Sequence, residues 1–235
     1  MIIGHYGIAF ALKRVEPRIS LAALFVATQL VDILWLFFVL IGLEHVTITP
    51  GFSAASPMEF TDYPITHSLV AAVCWALFAG AVYYSWPTKD VAHHRRRTVF
   101  IMLAVASHWV LDFIVHTPDL PISDNDSLKV GLGLWRSIPA TTAVELLVFG
   151  GGLALWMLSA HRRRPSHPVR VGLLAVVLVA LFIAAMASPP PSSVHSMVVW
   201  GLVGLPLLLL FAWWADLPIP EQTRMHEHPH THGRK

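Results

Sequence analysis

The sequence predicts an all-α fold: a polytopic bundle of about six transmembrane spans, plus a short N-terminal re-entrant or interfacial helix. Three observations lead there. Hydrophobic residues make up 55% of the 235-residue chain and charged residues only 13%, where an ordinary soluble domain carries about 25% charged. The apolar residues fall into blocks of about 20, the length a helix needs to cross about 30 Å of hydrocarbon. Lys and Arg, finally, collect at alternate ends of those blocks.

Taken in order, residues 2–12 form an apolar stretch that reaches only half-way across a bilayer at about 1.5 Å per residue. The blocks long enough to span are 19–43, 66–86, 98–116, 141–160, 169–187 and 195–215. One side collects Lys13, Arg14, Arg18, Lys89, Arg95, Arg96, Arg97, Arg162, Arg163, Arg164, Arg170, Arg224, Arg234 and Lys235. The other side holds Lys129 and Arg136, with Glu44, Glu59, Asp62, Asp119, Asp124 and Asp126. Both termini are therefore expected in the cytoplasm, and loops 44–65 and 117–140 outside. The loops carry turn formers such as Pro50-Gly51, Pro118 and Pro121, and they are long enough to fold over the outer mouth. Ser188-Pro-Pro-Pro-Ser192 reads as a stiff turn between the last two spans. Residues 1–217 form one membrane domain. Residues 218–235, with His226, His228, His230 and His232, read as a polar, disordered cytoplasmic tail. The first residues lack a basic region and a cleavage site, so no removable signal is expected.

Cys74 is the single cysteine, so any metal must be held by nitrogen and oxygen. Ionisable groups inside a span cost about 2.5–3.5 kcal/mol each and need a reason. Asp32 lies in the first span, His108, Asp112 and His116 in the third, and Glu145 near the outer start of the fourth. The i, i+4, i+8 spacing in the third span puts its three groups on one face, each about 6 Å beyond the last. That separation is too long for both histidines to hold one ion at about 2 Å, so two or more ions bridged by Asp112 are expected. The alternative is a polar stripe satisfied by hydrogen bonds between helices. By depth, His67 joins the outer-half group. His5 joins it only if residues 2–12 dip into the bilayer with the amino end deep, which Gly4 and Gly7 would allow by close packing; otherwise it is an interfacial histidine. The glycines 150–152 also read as a close helix contact. The basic run His93–Arg97 reads as a topology signal, with an anionic-lipid or protein contact as the other reading, and no nucleic-acid partner is expected.

His5, Asp32, Thr66-His67-Ser68 and His108-x-x-x-Asp112-x-x-x-His116 resemble the YdjM-like bacterial inner-membrane family, identified as membrane-bound metal-dependent hydrolases. Their order is also similar to that in zinc phospholipases C and related nucleases. The resemblance covers roughly residues 1–120. It departs where Asp62-Tyr63-Pro64 stands for the family's His-Arg-Gly, and where Thr141 precedes Glu145 in place of a histidine; His195 is a candidate to fill in. It implies metal ligation by His5, Asp32, His67, His108, Asp112, His116 and Glu145, and a zinc-activated water oriented by Asp32 or Asp112. The expected substrate is a lipid-linked phosphoester reached from the outer leaflet of the bacterial inner membrane. A membrane metal-binding or transport protein using the same cluster is the other reading. Metal-ligand groups leading to both faces would mark a transporter, and the inner halves of spans two to six hold almost none.

Overall fold

The computed structural model describes residues 1–160 and 168–218. Its helices are α1 (Gly4–Val15), α2 (Leu21–Leu40), α3 (Pro64–His67), α4 (Leu69–Ser85), α5 (Val91–Val115), α6 (Ile138–Ala160), α7 (Pro168–Ala187) and α8 (Val194–Ala215). Five of them, α2, α5, α6, α7 and α8, are long and apolar enough to cross a membrane. The expected span at 66–86 is a shorter apolar helix, Leu69–Ser85. Ser68 causes the shortening: it is extended (φ −68°, ψ 156°), ends α3, and its side chain accepts from Ala71 N to cap α4. Ser20 and Ser193 cap α2 and α8 in the same way. The triple-proline segment lies between α7 and α8, as its stiffness predicts.

Residues pointing away from the bundle are as apolar as those within it. Leu147, Leu158, Val176, Trp200 and Leu207 are all exposed, which is the arrangement of a protein whose solvent is lipid. The His-rich tail and the arginines at 162–164 lie outside the described residues.

Helix α1 is short because Pro17 closes it, and it packs along α6 and against α2 and α5. The α1–α6 contact is a glycine contact. A Cβ on Gly7 would strike the backbone of Val148 and Phe149, and one on Gly152 would strike the carbonyl of Gly7. Neighbouring Gly150 and Gly151 meet nothing within 4 Å. The far end of the hairpin between α1 and α2 is held to α8 by Asp216, whose Oδ2 accepts from Lys13 Nζ at 2.8 Å and Leu21 N at 2.9 Å.

At the opposite end two small antiparallel ribbons cover the bundle. Strands β1 (His45–Ile48) and β2 (Met58–Asp62) form one, and β3 (Leu120–Pro121) and β4 (Lys129–Val130) the other. The two loops are tied together and to the helices: Ala55 N donates to Trp135 O at 2.9 Å, Asn125 Nδ2 to Asp62 Oδ1 at 2.6 Å, and Val70 N to Ile122 O at 3.1 Å. The Asn125 amide and His45 together hold the Asp62 carboxyl below its usual range.

Two apolar clusters divide the core. Along α2, Leu24, Phe25 and Val31 belong to one, and Trp35 and Leu36 to the other. Along α5, Ala104 and Val105 belong to the first, Leu111 and Val115 to the second. Asp32 and His108 fall at the seam between them.

Candidate metal centre

Five side chains meet at that seam from α1, α2, α3 and α5. Asp112 is central. Its Oδ1 lies 3.3 Å from His5 Nε2, and its Oδ2 lies 3.0 Å from His108 Nε2 and 3.8 Å from His67 Nε2. Asp32 Oδ1 stands 3.5 Å from Nε2 of both His67 and His108. Two sets of donor atoms, from His5, Asp32 and His108 and from His67, His108 and Asp112, each gather within 4.8 Å. The Met1 amino group also reaches Asp112 Oδ1, at 2.5 Å.

The proton positions of the histidines follow from their neighbours. His108 Nδ1 lies 2.8 Å from the carbonyl of Thr28; a carbonyl only accepts, so Nδ1 carries a hydrogen, and in the neutral ring the lone pair is on Nε2. That Nε2 is buried without a hydrogen-bond partner, and so are both ring nitrogens of His5. The His5 and His108 rings stack with centroids 3.9 Å apart and planes 4° off parallel, so two protonated rings there would repel in a buried place. A buried lone pair facing carboxylate oxygens is satisfied by a cation between them. The donor set fits a divalent ion of the kind bound by imidazole and carboxylate, and the one thiol of the chain, Cys74, is exposed.

Depth of burial differs within the cluster. The side chains of His5 and His108 are 0% exposed and those of His67 and Asp112 3%, but Asp32 is 33% exposed. The centre therefore opens at Asp32.

The remaining predicted residues flank this group. Glu145 Oε1 and Oε2 accept from the backbone of Ile2 at 2.6 Å and Gly4 at 2.7 Å. Those bonds seat the amino end of α1, where orphan N–H groups and the helix dipole favour a carboxylate, and so place His5. His116 belongs to neither donor set. Its Nδ1 faces Asp119 Oδ1 at 3.0 Å, and its ring lies 6.4 Å from that of His67 and 4.2 Å from that of Trp135. His195 is exposed at the start of α8. Sequence reasoning gave no role to Trp35, whose ring stands 6.1 Å from that of His67 and whose indole nitrogen is buried without a partner. It sits one turn after Asp32, and that i+3 spacing was the available signal.

Comparison with protein-family models, curated proteins and solved structures finds no match. The chain is a membrane-type helical protein with a buried His and Asp group able to hold a metal ion.

Proposed function

We propose that the protein is an integral membrane metal-dependent hydrolase that acts on a phosphoester, with a lipid-linked substrate entering from the outer leaflet. The observation that carries this reading is the convergence of Asp32, Asp112, His5, His67 and His108 from four helices around unpartnered imidazole nitrogen. Buried groups of this kind are costly unless paired or bound to metal. Zinc is the proposed ion, since it takes imidazole and carboxylate ligands at about 2.0–2.2 Å.

When bound, such an ion supplies a Lewis acid and brings the pKa of water down to about 7. The chain supplies the rest. His5, His67, His108 and buried Asp112 would hold the centre, and the rings of Trp35 and Tyr63 pack beside His67. Half-buried Asp32 would orient the attacking water and take its proton. A site that opens at one carboxylate part-way along an apolar helix suits a headgroup carried on a lipid. The resemblance to the YdjM-like family, the one-sided distribution of basic residues, and placement in a bacterial inner membrane with cytoplasmic termini belong to the same proposal.

The test is phosphate release from vesicles containing phospholipid or polyprenyl phosphates by the detergent-purified chain reconstituted with zinc. Release abolished by chelator and restored by zinc is expected. No turnover with metal fully loaded contradicts the hydrolase reading, and zinc flux into proteoliposomes without phosphate release assigns transport instead.

A further inference from the structure

Resting on the metal reading above, we propose that Glu44 and Thr66 form a positioning relay that holds His67 in the tautomer a metal requires. Glu44 lies just past the end of α2 and is fully buried. Its Oε1 accepts from Thr66 N at 2.9 Å and its Oε2 from Thr66 Oγ1 at 2.6 Å. An ionised carboxylate accepts and cannot donate. The single hydroxyl hydrogen of Thr66 is therefore committed to Glu44.

Thr66 Oγ1 also lies 2.8 Å from His67 Nδ1. With its hydrogen already given away, the hydroxyl oxygen can only accept there, so Nδ1 carries the ring hydrogen. The lone pair of neutral His67 then falls on Nε2, the atom that faces Asp32 and Asp112. His108 reaches the same state through the fixed carbonyl of Thr28. The two differ in one respect: a carbonyl cannot reverse its role, and a hydroxyl can. Without Glu44 the Thr66 hydroxyl is free to turn and donate to Nδ1, which moves the ring hydrogen to Nε2 and blocks the ligand position. Glu44 thus acts on the centre through Thr66, and its place at the base of the β1–β2 ribbon couples that cover to the site. Burial raises the Glu44 carboxyl above its ordinary range while the Thr66 bonds oppose the rise.

The relay is tested by zinc affinity of the full chain, measured by competition with a chromophoric chelator. Thr66→Val and Glu44→Ala are expected to weaken binding about 10–100-fold, the range for groups that orient a ligating histidine. Thr66→Ser keeps the hydroxyl and is expected to restore wild-type affinity. Unchanged affinity in Thr66→Val and Glu44→Ala overturns the relay while leaving the metal centre standing. A second measurement needs no metal: ¹⁵N shifts of labelled histidine in the metal-free wild type, with His67 assigned by its loss in His67→Gln. A hydrogen on Nδ1 supports the relay even if zinc fails to bind, in which case the metal reading alone falls. A hydrogen on Nε2 overturns it.

Discussion

Asp112→Asn is expected to strip the protein of tightly held metal. Among the described residues, Asp112 is the one group that faces three histidines, His5 and His108 within 3.3 Å and His67 at 3.8 Å. Asn is nearly the same shape but brings no charge, and its amide nitrogen would point a donor at a position that needs an acceptor. A residue that merely orients a ligand changes affinity about 10–100-fold, so loss of this carboxylate is expected to weaken zinc by more than about 100-fold. Removing one partner from a buried charged group also costs about 3–5 kcal/mol of stability. The readout is therefore zinc per chain by elemental analysis on the monodisperse detergent peak, beside His108→Asn, which removes the ligand shared by both donor sets. Retention of wild-type zinc by both variants would show that the cluster is a hydrogen-bonded polar stripe.

The second large effect is expected at a glycine two residues from His5 that is not itself a ligand. Gly7→Ala places a methyl group into the backbone of Val148 and Phe149. Backbone gives way less readily than a side-chain end, and overpacking of this kind costs about 1–3 kcal/mol. The consequence for the site is larger than the energy implies: α1 must move off α6, and the Glu145 bonds that seat its amino end are disturbed, so His5 leaves the cluster. Gly7→Ala is expected to lower both the thermal midpoint in detergent and zinc affinity. Gly151→Ala meets open space and is expected to lower neither, since Ala is preferred to Gly inside a helix. Equal behaviour of the two variants would refute the glycine-contact account of how His5 is placed.

Much of this was legible from residue order. The apolar blocks gave the helices because hydrocarbon thickness fixes their length, and the i, i+4 pair His108 and Asp112 was readable because helical periodicity puts both on one face. For the N-terminal segment two readings stayed open, a half-helix with its amino end deep or an interfacial one; what the fold adds is α1 packed on α6, α2 and α5 with His5 beside Asp112. Periodicity misleads at the end of α5. His116 continues the i+4 series, yet the helix ends at Val115, and the extended backbone at His116 (φ −59°, ψ 144°) turns the ring toward Asp119 and Trp135. The expectation of an ion between Asp112 and His116 assumed one more helical turn. His108 offers one lone pair, so it serves one ion, and the two donor sets that share it cannot both use it at once. Depth along a span does not say what a carboxylate bonds to: backbone N–H groups at the amino end of α1 take both oxygens of Glu145. Glu44 and Thr28 were invisible because their contributions depend on contacts from other segments, one through a hydroxyl and one through a main-chain carbonyl.

The central claim is that imidazole and carboxylate groups from four helices meet here because a cation binds between them. X-ray absorption at the zinc K-edge, on the purified chain loaded with zinc and dialysed, tests it directly. The predicted spectrum has a first shell of nitrogen and oxygen at about 2.0–2.1 Å, no sulfur, and outer-shell scattering from several imidazoles that diminishes in His108→Asn. Zinc lost on dialysis, or zinc retained with an imidazole signal unchanged in His108→Asn, would contradict it.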